Sequence, residues 1–196
     1  MKIEIDEIIS NLSKFKGLTK KNSERLVVDL IEHPDKVEAL QREIRKVQTL
    51  FHICPICYGL TINEQCEICA NPSRNQKIVC VVSSIMDMLN IEKFQKYKGV
   101  YAVLGGEINV QKGMTPDKLA IDSLLHRLKT GDEVILALNA TFEGEVTANY
   151  IAKLLQTKKV KITRIAKGIP MGGMIDYMDE ATLESALINR KKVEED

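Results

Sequence analysis

The strongest constraint in these 196 residues is the spacing of four cysteines. Cys54-Pro55-Ile56-Cys57 is followed, eight residues on, by Cys66-Glu67-Ile68-Cys69. Two Cys-x-x-Cys pairs close one tetrahedral metal site when each turns through a tight knuckle that aims both sulfurs at one point. Pro55 stiffens the first knuckle, and Gly59 is expected to supply its permissive backbone. Four thiolates complete a tetrahedron and leave no position for water or substrate. Cys54, Cys57, Cys66 and Cys69 are therefore expected to hold one structural Zn²⁺. The competing readings are two disulfides or four free thiols. Disulfide scaffolds belong to secreted chains, and nothing here reads as secreted. His52 flanks the site without being needed as a ligand, and Cys80, in an apolar run, is expected to be a buried core thiol.

The net charge is +1, so only local clusters can argue for a charged partner. The opening stretch, Met1 to Asp6, has neither a basic n-region nor a long apolar run, and no segment approaches the ~20 apolar residues of a membrane span. The expectation is a cytoplasmic chain with no membrane partner.

Before the cysteines the pattern is helical. Ile5, Ile8, Ile9 and Leu12 share one helix face, and Leu26, Val27, Leu30 and Ile31 share the next. Between them lies Lys16-Gly17-Leu18-Thr19, a tight turn followed by basic residues. Lys14, Lys16, Lys20, Lys21 and Arg25 face a single acid, Glu24. Such a helix-hairpin-helix can point backbone N–H groups at a phosphate; a solvated hairpin with ordinary surface lysines fits equally. Pro34 opens a third helix. Its stripe of Val37, Leu40, Ile44, Val47 and Phe51 suits packing on the first two helices or on a second chain.

After Pro72 strands and helices alternate. Strands are expected at 78–83, 100–104, 133–138 and 160–165, with helices at 85–94, 117–129, 144–156 and 180–190. This predicts a parallel α/β sheet with its functional edge at the strand C-termini. The fold class is thus α+β in several parts: a helix-hairpin-helix domain (1–52), a four-cysteine zinc finger (53–73), an α/β domain with a parallel sheet (77–168) and a C-terminal segment with a helix (169–196). Residues 153–167 hold six basic residues and no acid, which suits either a second DNA-facing strip or a solvated face.

At the third strand's end, Asn139-Ala140-Thr141-Phe142-Glu143-Gly144-Glu145 resembles the Toprim motif of topoisomerases and primases. Catalytic members carry Asp-x-Asp there and a glutamate on the first strand, acids that hold Mg²⁺ during phosphodiester chemistry. Asn139, Thr141 and Ser83 occupy those positions here, so the metal site reads as dismantled. Glu143 and Glu145 remain, and they also suit a plain helix N-terminus. Ile175-Asp176-Tyr177-Met178-Asp179 is Walker-B-like, but no Gly-x-x-x-x-Gly-Lys-[Ser/Thr] exists to hold ATP.

The order of parts, with Cys-Glu-Ile-Cys, Val-Leu-Gly-Gly, Glu-Gly-Glu and Gly-Ile-Pro-Met-Gly-Gly, resembles the RecR recombination mediator family over nearly the whole chain. That resemblance implies a non-catalytic DNA repair and recombination protein. It would act with RecO and RecF to load recombinase on SSB-coated single-stranded DNA. It would bind single- and double-stranded DNA as a dimer or ring-like tetramer. Lys20, Lys21 and Arg25 are the DNA-binding candidates, Lys21 and Arg25 matching the family's DNA-contacting positions. Glu143 and Glu145 match glutamates implicated in contact with RecO. Three positions depart from the family pattern: Thr19 for the hairpin's second glycine, Ser83 for a glutamate, and Ala140 for a proline. Thr19 is expected to hinder close backbone approach to a phosphate. The alternatives are a Toprim phosphoryl-transfer enzyme using Glu143, Glu145 and Asp87 with Mg²⁺, or a zinc-stabilised protein adaptor.

Overall fold

Three helices come first in the computed structural model, which describes residues 2–190. They are α1 (Lys2–Leu12), α2 (Lys20–Glu32) and α3 (Pro34–Leu50). Gly17 makes the α1–α2 turn possible with a left-handed φ of +94°. Thr19 then caps α2, its hydroxyl accepting from the Asn22 amide at 3.2 Å. Ile9, Ser23 and Val27 are buried where α1 meets α2. Pro34 opens α3 as its first residue, as expected. The α3 stripe, however, carries no buried residue: Ile44 is 58% exposed and Val47 61%.

The chain divides between Phe51 and His52. The second unit opens with a small antiparallel ribbon, β1 (His52–Ile53) with β2 (Leu60–Thr61), followed by the four-residue helix α4 (Glu67–Ala70). A four-stranded parallel sheet follows, built from β3 (Asn75–Val82), β4 (Gly99–Val103), β5 (Glu133–Ala137) and β6 (Lys161–Arg164) in the order β4-β3-β5-β6. The crossover helices are α5 (Ile85–Glu92), α6 (Ile121–Arg127) and α7 (Phe142–Leu155), and α8 (Glu180–Ile188) comes last. The apolar runs of β3 and β4 become strands buried on both faces, as parallel pairing requires. One face packs Val79, Val81, Val134 and Leu136 against Leu124, Ile151 and Leu155 of α6 and α7. The other packs Cys80, Val82 and Tyr101 against Met88 of α5.

Two helices differ from expectation at their starts. The helix expected over 117–129 begins only at Ile121. Pro116–Lys118 forms a 3₁₀ turn, and Leu119 runs extended into the core while the Ala120 amide donates to Leu104 O at 3.0 Å. Core burial of Leu119 outweighs its helix propensity. The helix expected from Gly144 starts at Phe142, because Thr141 caps it by accepting from the Gly144 amide at 3.2 Å. Glu143 and Glu145 therefore lie inside the first turn of α7. The Walker-B-like stretch is not a strand. Ile175–Tyr177 is one 3₁₀ turn, and Asp179 caps α8 by accepting from the Thr182 amide at 2.9 Å.

Candidate metal centre and nucleic-acid interface

The four cysteines of the two knuckles are brought together as their spacing requires. All are buried, and their sulfurs lie within 4.8 Å of one another. The Cys57 and Cys66 sulfurs are 3.6 Å apart. A zinc ion about 2.3 Å from each sulfur would set them about 3.8 Å apart, whereas a disulfide needs about 2 Å. The four are free cysteines, so the disulfide reading is set aside. Backbone amides complete the cradle: Gly59 donates to Cys57 Sγ at 3.3 Å, Cys69 to Cys66 Sγ at 3.4 Å and Cys66 to Cys54 Sγ at 3.5 Å. Donors aimed at sulfur favour thiolates, as a metal-ligating cysteine requires.

Sulfurs this close cannot all ionise unaided. The Cys57 and then the Cys69 hydrogen bond hold the Cys66 thiol well below its ordinary range, while Cys57, bonded to Cys66, is held well above. A divalent cation is the charge that would let all four ionise together.

The permissive backbone of the first knuckle is not where the sequence reading put it. Tyr58, not Gly59, takes the left-handed conformation, with φ +59°. Gly59 is required by crowding instead: a Cβ there would stand 2.9 Å from the Met88 side chain and 3.2 Å from Cys57 Sγ. The knuckle is fastened to the sheet as well, the Val103 amide donating to Cys57 O at 2.8 Å. His52 is exposed in β1, and Cys80 is buried, its thiol pushed up to about 12 by desolvation.

The C-terminal edge of the sheet gathers the Toprim-like positions. Ser83 and Ser84 both donate hydroxyl hydrogen bonds to Asp87 Oδ2, at 2.6 and 2.7 Å, so Asp87 closes the cap of α5. The Asn139 side-chain amide reaches Ser83 Oγ at 3.4 Å. Glu107 is the residue that the sequence reading missed. It comes from the loop after β4 and accepts from the Asn139 backbone amide at 3.1 Å and its side-chain amide at 3.0 Å, and from Thr141 Oγ1 at 3.4 Å. The only local hint of it was its place directly after Gly105-Gly106. Glu143 accepts from Asn109 Nδ2 at 2.9 Å. Glu145 is gripped by both Arg164 amino groups, at 2.5 and 2.6 Å, and by Lys167. Arg164 and then Lys167 hold its carboxyl below the usual range. Gly144 is forced to be glycine, since a Cβ there would lie 2.1 Å from Asn139 O.

In the first unit, Lys20 and Lys21 open α2 and Arg25 follows one turn later. All three are exposed, and none makes an ion pair among the described residues. Thr19 takes up the Asn22 amide, so among the described residues the amides of Lys20 and Lys21 remain free donors at the helix's positive end.

A four-stranded parallel sheet whose C-terminal edge carries Asn-x-Thr and Glu-Gly-Glu, flanked by a four-cysteine knuckle, defines a Toprim-type domain. The family model described as "Toprim domain" matches residues 77–166. The chain belongs to the RecR family of recombination proteins. The model described as "RecR, C-terminal" matches residues 168–191. Recombination protein RecR of Deinococcus radiodurans is 41% identical over 187 residues, covering 95% of this chain and 85% of that protein. Its namesake in Rhodopirellula baltica is 38% identical over 192 residues, covering 96% of each chain. That of Thermosynechococcus vestitus is 40% identical over 190 residues, covering 95% and 94%. Among the described residues, no helix is long and apolar enough to cross a membrane.

Proposed function

We propose that this chain is a non-catalytic, DNA-binding recombination mediator. It acts with RecO and RecF to load recombinase onto SSB-coated single-stranded DNA, as a ring-like clamp of dimers or tetramers. The observation that carries the reading is the basic start of α2. Lys20, Lys21 and Arg25, which pair with no acid among the described residues, lie in the first two turns of α2 beside the amides of Lys20 and Lys21, an arrangement that grips phosphates without reading bases. Thr19 bears on this directly. Its hydroxyl replaces a phosphate oxygen only at Asn22 and leaves the two preceding amides available.

The sheet edge supports a scaffold over an enzyme. Asp87 serves a helix cap, and Glu145 is neutralised by two cations, so neither carboxylate is free for a hard metal ion. Glu143 and Glu145 serve instead as contacts for RecO. The uncovered apolar stripe of α3 supports self-association. The cysteine site fits zinc by donor chemistry: four thiolates in a closed tetrahedron select a soft or borderline ion, and zinc there is structural. The cytoplasm, where thiols stay reduced, suits such a site.

The test is DNA binding across a salt series. Lys21→Ala/Arg25→Ala should weaken affinity for single-stranded DNA and flatten the salt dependence by roughly one to two phosphate contacts. Affinity and slope equal to those of the unmodified protein would refute the assignment. Light scattering on the metal-loaded protein with and without DNA tests the clamp; a strict monomer throughout would remove it.

A further inference from the structure

The two edges of the sheet are finished differently. In a parallel ladder, alternate residues turn their N–H and C=O to the same side. On β4 three of the outward groups are taken up. Val103 N–H goes to Cys57 O at 2.8 Å, Tyr101 O accepts from Arg127 Nη1 at 2.7 Å, and Gly99 O accepts from Arg74 Nη1 at 3.4 Å. On β6 the Lys161 amide turns inward to Asp132 O at 2.8 Å and the Ile165 amide to Leu136 O at 3.3 Å. Ile162 and Arg164 therefore turn their N–H and C=O outward, and no group among the described residues meets them.

We infer that the β6 edge is a docking site for an extended acidic peptide from a partner protein, which adds to the sheet as a fifth strand. Charge selects the partner. Residues 153–167 carry six cations and no acid, against which the described residues set two carboxylates, Glu133 on Lys161 and Glu145 on Arg164 and Lys167, so the stretch stays net positive. Lys159 and Lys161 are exposed where β6 begins. A second copy of this edge would meet the same sign of charge, which is how edge lysines suppress self-pairing. A nucleic-acid backbone would answer the cations but not the row itself, because phosphates offer nothing to the outward carbonyls of Ile162 and Arg164. A peptide strand supplies donors and acceptors in alternation. This surface lies outside the basic start of α2, and the inference stands apart from the DNA-binding reading.

The experiment uses the full, metal-loaded chain and a short fluorescein-labelled peptide of alternating glutamate and valine. Fluorescence anisotropy should show binding that Lys159→Glu/Lys161→Glu weakens about tenfold, with an unchanged melting temperature confirming that the variant folds. The same peptide N-methylated at alternate backbone nitrogens keeps its charge but loses its strand donors, and it should fail to bind. Hydrogen exchange read by NMR should slow at the amides of Ile162 and Arg164 when the unmodified peptide is added. Equal binding of the N-methylated peptide would reduce the contact to charge alone and overturn the inference. So would unprotected Ile162 and Arg164 amides, or protection of them by oligo(dT) and not by the peptide.

Discussion

Gly144→Ala sets two physical scales against each other. By helix propensity the change should stabilise, since glycine costs about 1 kcal/mol relative to alanine within a helix. The surroundings of Gly144 reverse the sign. The new Cβ would lie 2.1 Å from Asn139 O and 2.9 Å from Asn139 C, which are backbone atoms at the end of β5 with no rotamer to move away. An ordinary contact requires the first turn of α7 to retreat by about 1 Å or more. That retreat stretches the Thr141 cap, now 3.2 Å from the Gly144 amide, worth about 1 kcal/mol. Overpacking adds about 1–3 kcal/mol. The balance is a destabilisation of about 1–3 kcal/mol, in the direction opposite to propensity. Urea denaturation followed by circular dichroism measures it. A variant as stable as the unmodified chain, or more so, would show that α7 does not need this close approach. Because Gly144 lies between Glu143 and Glu145, the same shift would displace both proposed partner contacts, so RecO affinity should fall in step with stability.

Other outcomes follow from the same residues. Cys54→Ser should lose the bound metal, measured by atomic absorption, and lower the melting temperature, because metal binding and folding share one free energy in such sites; native stability with no metal loss would contradict a structural role. Thr19→Ala should speed amide exchange at Asn22 about fivefold by removing the cap, whereas Thr19→Gly should cost only a few tenths of a kcal/mol in denaturation. Glu145→Gln tests the cluster with Arg164 and Lys167. The folded carboxyl sits below its ordinary range, so its stabilising effect is complete above about pH 5 and drains away as pH falls through the lowered value. With about a third of each side chain exposed to water, the difference from the variant should stay under about 1 kcal/mol at neutral pH and vanish in acid.

The parts legible in the sequence are those fixed by local spacing. Cys54, Cys57, Cys66 and Cys69 were readable because knuckle geometry is set within four residues, β3 and β4 because they are apolar runs buried in the sheet, and β5 and β6 because strands alternate with helices. What stayed hidden depended on approach between distant segments. Glu107 sits at the strand edge only because the loop after β4 folds back to Asn139, more than thirty residues away in the chain. Leu119 leaves the helix that its neighbours favoured and is buried in the core instead. The positive φ fell to Tyr58 because the place a glycine had to fill was the crowded one beside Met88. The unequal edges of the sheet were equally invisible, since Arg74, Arg127 and Cys57 reach β4 through tertiary contacts alone.

The bond from Val103 N–H to Cys57 O has a consequence for time as well as for shape. Cys57 offers at once a candidate metal-ligating sulfur and a carbonyl that accepts from the edge strand of the sheet. For the ion to escape, the first knuckle must open, and opening it frays β4. Release of a metal held there should thus be slaved to a fluctuation of the sheet. A chelator in large excess should strip the protein at a rate independent of chelator concentration, equal to the local opening rate at the Val103 amide.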